Sequence, residues 1–247
     1  MKNNKFLIII PIFNEEKNID FVIDDLNKNC SDFDRVLIDD GSSDGTIKKI
    51  EKRNENYLEL PFNLGYSGAI QTGFKYAEEK KYDYIVLFDG DGQHKAIEIT
   101  KMIELAEKNN EIDIIIGSRY MKGSVYKKNF FRMIGTQLFS ILIFILYQKK
   151  IYDPTSGFQL LSHRVFSKYS KMFNYPKFPD ANLILEFFLN NYIIKEIPVE
   201  MRSRNTGKSM HSGLLKPIKY VIKMFYSMLI VIIRYFPKYI QRGLNKR

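Results

Sequence analysis

Tyr84-Ile85-Val86-Leu87-Phe88-Asp89-Gly90-Asp91-Gly92-Gln93-His94 is the stretch on which the fold turns. An apolar run of strand length ends abruptly in two carboxylates, two residues apart, in a turn loosened by two glycines. In extended backbone, alternate side chains point the same way. Asp89 and Asp91 therefore face one point in space, and Gln93 continues the alternation with an amide oxygen. Hard oxygen ligands in this pattern suit Mg2+ or Mn2+ bridging to a diphosphate and stabilising the charge that builds as it leaves. Asp-x-Asp alone is also found in plain turns. Its weight here comes from the buried strand before it and from two further acidic turns elsewhere in the chain.

On either side of this stretch, short apolar runs alternate with amphipathic segments. Strands are predicted at Phe6–Ile10, Arg35–Ile38, Tyr57–Leu60, Tyr84–Phe88 and Asp113–Ile116, and helices at Glu15–Asn29, Thr46–Arg53, Ser67–Lys81 and Ala96–Asn109. This alternation implies βαβ units and an α/β fold with a mostly parallel sheet. Such sheets bind ligands at the carboxyl ends of their strands, where Asn14-Glu15, Asp39-Asp40 and Asp89-Gly90-Asp91 all fall. In Asp39-Asp40-Gly41-Ser42-Ser43-Asp44-Gly45-Thr46, Ser43 and Asp44 read as a helix cap. That leaves Asp39 and Asp40 for ribose hydroxyls or a base edge. Asn63-Leu64-Gly65-Tyr66-Ser67-Gly68-Ala69 looks superficially like a phosphate-cradling loop, but its glycines are few and no Lys-Ser/Thr follows. Close packing of a helix start explains it equally well.

The chain has 247 residues, 45% of them hydrophobic, and a formal charge of +10. Residues 195–247 hold 12 Lys/Arg against 2 Asp/Glu, which accounts for the whole excess and leaves the first 194 residues neutral. Cys30 is the single cysteine, so no internal disulfide forms and a reducing compartment is the natural reading. The charged start, Met1 to Lys5, and the apolar Phe6–Pro11 mimic a signal peptide, but the run is short and Asn14-Glu15-Glu16 follows it. His94, His163 and His211 are scattered, which argues against a zinc site or a Ser-His-Asp triad.

Two segments are amphipathic. In Leu214–Phe236, the polar residues Lys216, Lys219, Lys223, Ser227 and Arg234 form one stripe on an otherwise apolar helix. In Phe130–Tyr147, Arg132, Thr136 and Ser140 repeat every four residues. A spanning helix needs roughly 20 mostly apolar residues, and the apolar run between Lys223 and Arg234 is close to half that. The expectation is helices lying in a membrane interface, with basic residues meeting anionic headgroups. Packing against the domain, a contact between copies in a homo-oligomer, and a short spanning tail stay open as alternatives. Nucleic acid is not expected, because the tail's aromatics lie on its apolar face rather than among its charges.

In order along the chain, the motifs are Pro11-Ile12-Phe13-Asn14-Glu15, the Asp39–Thr46 segment, Asn63-x-Gly65-x-x-Gly68-Ala69, Asp89–His94, Gly117-Ser118-Arg119-Tyr120 and Asp153-Pro154-Thr155-Ser156-Gly157-Phe158. This ordered set resembles family 2 glycosyltransferases of the GT-A fold, in the dolichol-phosphate mannosyltransferase-like branch, across residues 5–210. The resemblance implies an inverting transfer from a UDP- or GDP-sugar to a membrane-linked acceptor at the cytoplasmic face, performed by a peripheral protein. Polyprenyl or dolichyl phosphate is the first choice of acceptor and a lipid-linked glycan the second. It implies a GT-A domain over residues 1–212 and a basic amphipathic tail over 213–247.

Carried onto this sequence, the resemblance makes Pro11, Phe13, Glu15, Ile38, Asp39 and Asp40 the nucleoside side of the site, with Gly90 under the nucleotide. Phe13 stands where relatives often have tyrosine. Asp89, Asp91 and Gln93 hold the metal. Arg204 closes on the donor diphosphate, and Lys208 or His211 stands in for a lysine that relatives usually carry at Met210. Arg119 and Arg132 suit an acceptor phosphate. Asp153 and Ser156 match a motif near acceptor and diphosphate. Asp180 and Glu186 are candidates for a general base, needed for a hydroxyl acceptor but not for a phosphate that is already an anion. A sugar-nucleotide pyrophosphorylase would want a basic glycine-rich loop where this chain has Asn14-Glu15-Glu16. A non-catalytic membrane-docking protein would leave the carboxylates without a purpose.

Overall fold

The computed structural model describes residues 4–126, 130–171, 175–176, 179–203 and 215–244. Its centre is a seven-stranded sheet in the order β3-β2-β1-β4-β6-β5-β7. The strands are β1 (Phe6–Ile12), β2 (Asp34–Asp39), β3 (Tyr57–Glu59), β4 (Tyr84–Leu87), β5 (Ile114–Ser118), β6 (Gln159–Ser162) and β7 (Ile194–Pro198). All pairings are parallel except those of β6, which runs antiparallel to both β4 and β5. The five predicted strands are present. β6 and β7 were not anticipated.

Helices cover both faces, which is why the strands read as unbroken apolar runs. Alternation along β1 shows this directly. Leu7 and Ile9 join one core with Phe74 of α3 (Tyr66–Glu79) and Ile184 of α7 (Ala181–Leu189). Phe6, Ile8 and Ile10 join the other with Val22 of α1 (Ile19–Asn29) and Met102 of α4 (Ile97–Lys108). Helix α1 starts at Ile19 rather than Glu15. The chain first makes a turn in which Glu15 O accepts from the N–H groups of Asn18 and Ile19, after Asn14 takes a left-handed φ of 54°.

The strand order reverses between β1 and β4, whose neighbours β2 and β6 lie to opposite sides. A crevice opens at the carboxyl ends of strands at such a switch point, and the Asp89 turn leaves β4 there. Helix α5 (Phe130–Tyr147) buries Phe139 and Ile143, and α8 (Leu215–Leu244) buries Met224, Met228 and Val231, all in the core that holds Leu7 and Ile9. The 212/213 boundary itself falls outside the described residues. On α5 the polar positions Thr136 and Ser140 face inward. Thr136 is buried with its hydroxyl 3.1 Å from that of Thr155, and Ser140 donates to Ile151 O. Among the described residues, no helix is long and apolar enough to cross a membrane.

Candidate active site

The site is built outward from the end of β4. Phe88 N–H still bonds Ile9 O on β1, but Asp89 N–H is donated to His94 Nδ1 at 3.1 Å, so the chain leaves the sheet there. His94 is buried, stacked on Phe158 with centroids 4.5 Å apart and edge-on to Phe88. Burial pushes its pKa down to about 4, so the ring is neutral. With Nδ1 accepting, the proton sits on Nε2, which lies 3.7 Å from Asp89 Oδ2. The hydroxyl of Tyr66, at the start of α3, donates to Asp89 Oδ1 at 3.2 Å. Asp91 Oδ1 accepts from Gln93 N–H at 3.0 Å. Asp89, Asp91 and Gln93 are all partly exposed. Gly90 is pressed against β1: a Cβ there would meet the Ile12 side chain and lie 3.1 Å from Pro11 O.

The neighbouring loops are tied by the acidic residues expected to be free for a nucleoside. Asp39 is fully buried, and Ser42 donates its N–H to Oδ2 at 2.9 Å and its hydroxyl to Oδ1 at 2.5 Å. Ser42 Oγ in turn accepts Asn14 N–H, and Asn14 Oδ1 accepts Ser43 N–H. Asp40 accepts Leu64 N–H at 2.7 Å, and burial pushes its pKa up against that bond. The two aspartates thus join the loops after β1, β2 and β3, a structural task the sequence reading left unassigned. Gly41, with φ 74°, makes the turn between them. The cap position of the next helix falls on Gly45 rather than on Ser43 or Asp44, although Asp44 accepts the helix's first N–H, from Thr46. Pro11 and Ile38 pair across β1 and β2 and are buried. Phe13, 45% exposed, stands at the rim. Glu15, partly exposed, accepts from Asn18 Nδ2.

On the other flank, Arg119 is held inside the fold. It is 5% exposed and forked onto the fully buried Asp153, Nε to Oδ2 at 2.7 Å and Nη2 to Oδ1 at 2.8 Å. Nη2 also reaches Thr155 O and Oγ1. Burial works against its charge, and Asp153 more than restores it. Asp153 is equally committed, and Ser156 Oγ donates to Gly117 O. The 153–158 motif also sets Phe158 under His94 and Gly157 beside the Tyr66 hydroxyl.

Asp180 is the N-cap residue of α7, and its Oδ2 accepts from Tyr220 Oη at 2.8 Å. Tyr66 and Tyr175 lie close enough to feel both Asp180 and Asp89. Their pKa values are raised, first by burial and then by these carboxylates, so both stay neutral hydroxyls. Asp180 is thus placed to act on the same two tyrosines as Asp89. Glu186 is not: it is buried, accepting from Lys168 Nζ at 2.7 Å and Tyr235 Oη at 2.8 Å. Arg204, Lys208, Met210 and His211 lie outside the described residues, as does the side chain of Arg132. Arg202 was missed in the sequence. Its N–H bonds Gln93 O and its Nη1 bonds His94 O, both at 2.8 Å, so Arg202 is tied to the Asp89–His94 turn. Tyr66 and Tyr220 were also missed, because nothing local to either marks a partner so distant in sequence.

The profile of glycosyl transferase family 2 matches residues 7–170, about two-thirds of the chain. The chain belongs to glycosyl transferase family 2. Within the family it is similar to the dolichol-phosphate branch. It is 29% identical over 252 residues to UDP-N-acetylglucosamine–dolichyl-phosphate N-acetylglucosaminyltransferase of Methanococcus voltae, covering 94% of this chain and 97% of the relative. It is 24% identical over 220 residues to polyprenol monophosphomannose synthase of Mycolicibacterium smegmatis, covering 84% and 81%. Glucosyl-3-phosphoglycerate synthase from Mycobacterium tuberculosis, solved with Mn2+, UDP and glucosyl-3-phosphoglycerate, superposes with a TM-score of 0.68 at 15% identity, covering 94% of this chain and 80% of that one. At that identity the likeness speaks for the fold alone, and the fold of this family 2 glycosyltransferase is GT-A.

Proposed function

We propose that this glycosyltransferase moves a sugar from a nucleoside-diphosphate sugar to a lipid-linked phosphate at a membrane surface. The observation that carries the donor half is the turn after β4, where Asp89, Asp91 and Gln93 stand partly exposed at the switch point of the sheet. Among the described residues, no group of three or more His, Cys, Asp and Glu side chains is placed to cage a cation. Two carboxylates and an amide oxygen instead suit Mg2+ or Mn2+ sharing its remaining positions with a diphosphate and water. Bound there, the ion would neutralise charge on the departing diphosphate. The chain's own part is to hold Asp89 through His94 and Tyr66 and to offer Phe13 and Glu15 at the nucleoside rim. Arg204 and Lys208 remain our candidates for the diphosphate.

The acceptor half rests on the two relatives named for polyprenol and dolichyl phosphate, and on the outer faces of α5 and α8. Ile134, Leu138, Ile141 and Ile145 of α5 are exposed, as are Ile222, Tyr226, Leu229 and Ile233 of α8. Lys219, Lys223 and Arg234 lie along one edge of the α8 face. An apolar face bordered by cations fits a peripheral helix at an anionic leaflet, which we take to be the cytoplasmic one. A second reading, extension of a lipid-linked glycan, is favoured by Asp180, since a sugar hydroxyl needs a base and a phosphate does not.

A thermal-shift screen against UDP- and GDP-sugars, with and without Mn2+ or Mg2+, tests the donor half. Binding to the native state raises Tm by mass action, by RT ln(1 + [L]/Kd) in stability. One nucleotide should stabilise the protein only when metal is present, and Asp91→Ala should remove that shift. Metal-independent shifts, or an unaltered shift in Asp91→Ala, would remove the metal role.

A further inference from the structure

Helices α8 and α7 are joined by polar rungs along an otherwise apolar seam. Tyr220 Oη donates to Asp180 Oδ2, Asn182 Nδ2 donates to Ser227 Oγ, and Tyr235 Oη donates to Glu186 Oε1, each at 2.8 Å. Residues 220, 227 and 235 are spaced by about two helical turns, so the rungs share one face. Between them Met224, Met228 and Val231 are buried.

The first rung is unlike the others. Asp180 occupies the N-cap of α7, where an aspartate ordinarily turns its carboxylate onto the helix's free N–H groups. Here it makes no side-chain cap bond. Its backbone is pinned separately, with Asp180 N–H donated to Asn182 Oδ1 and Asp180 O accepting Leu183 N–H. The carboxylate meets Tyr220 instead, on the side where Tyr66 and Tyr175 feel both it and Asp89. The Tyr220 ring is itself held edge-on to Phe139 of α5. That orientation gives up a cap bond, and the Tyr220 hydroxyl is a partner that holds it there.

We propose that Tyr220 is a positioning residue: it turns the Asp180 carboxylate off the α7 N-terminus and holds it on the side of the Asp89 turn, where an acceptor group must arrive. This rests on the reading of Asp180 as the acceptor-side carboxylate. It also makes α8, the helix with the exposed apolar and basic face, part of the acceptor site.

The test is a double-mutant cycle on the full chain with Tyr220→Phe, Asp180→Asn and the pair. The donors are UDP-N-acetylglucosamine and GDP-mannose with Mn2+. The acceptors are a short-chain dolichyl phosphate and the same lipid already carrying one sugar. With the lipid that already carries a sugar, whose hydroxyl needs a base where a phosphate does not, Tyr220→Phe loses a single hydrogen bond to a charged group, and turnover at saturating donor should fall roughly tenfold with donor KM unchanged. On the Asp180→Asn background it should have no further effect. Tyr235→Phe, which breaks the far rung, should leave acceptor kinetics at the wild-type level and so separates positioning from general docking of α8. Losses that multiply in the pair, an equal loss in Tyr235→Phe, or wild-type turnover in Tyr220→Phe would each overturn the assignment. Wild-type turnover in Asp180→Asn would instead remove Asp180 from the acceptor side, and the role of Tyr220 with it.

Discussion

Gly90 sits where β1 and the carboxylate turn come closest. A methyl group there would press on the Ile12 side chain and on Pro11 O, which belongs to sheet backbone and does not yield. Gly90→Ala should therefore cost about 1–3 kcal/mol, read as a Tm lower by roughly 2–10 °C. Because the strain falls between Asp89 and Asp91, metal-dependent nucleotide binding should weaken at least tenfold, measured by titration. Wild-type Tm and affinity would show that the turn rides free of β1. This turn was legible because its information is local: an apolar strand, then carboxylates at period two. The loop bonds of Asp39 and Asp40 were not legible, for the opposite reason. Ser42 Oγ and Leu64 N–H become their partners only when separate loops meet. Tyr66 meets Asp89 from 23 residues away, a contact no spacing rule reveals.

At the scale of elements, the first five strands could be read from apolar runs bounded by polar turns. β6 has four residues and enters antiparallel between β4 and β5. β7 carries Lys195 and Glu196 at the edge of the sheet, and its residues are not fully buried. Neither shows the pattern of a central strand, and both are placed by the loops before them. The Arg119–Asp153 pair is the clasp that fastens one such loop, joining the end of β5 to the segment entering β6. Removing one partner of a buried pair leaves an uncompensated charge, at a cost of about 3–5 kcal/mol. Asp153→Asn should therefore lower stability by that amount in denaturant titration. An apolar pair, Arg119→Met with Asp153→Leu, should recover most of it. Had Arg119 served the acceptor directly, Asp153→Asn would depress turnover with unfolding unchanged. Turnover and stability should instead fall together.

Across the whole molecule, neutral and basic parts are segregated, and so are its polar and apolar surfaces. Helices α5 and α8 pack on each other through Phe139 and Phe225, and both turn apolar side chains outward. Thr136, Ser140, Ser227 and Tyr235, which would suit a wet face, point inward to partners. Such an inverted surface calls for a partner, and two occupants compete: a leaflet or a second copy of the chain. The row of Lys219, Lys223 and Arg234 separates them. Cations near an anionic leaflet contribute about 1 kcal/mol each and are screened by salt, whereas at a contact between identical copies the same row would meet itself or lie unused. The wild-type chain should co-sediment with vesicles containing phosphatidylserine and should release as salt is raised from 0.05 to roughly 0.5 M. Lys219→Glu with Lys223→Glu should abolish the salt-sensitive part, and Ile222→Ser with Ile233→Ser the residue that salt leaves behind. Both variants should keep wild-type nucleotide-dependent thermal shifts, since neither touches the β4 turn. If vesicles are ignored while sedimentation equilibrium reports a dimer that Ile222→Ser with Ile233→Ser dissociates, the face belongs to a second copy and the lipid acceptor must reach Asp180 by another edge.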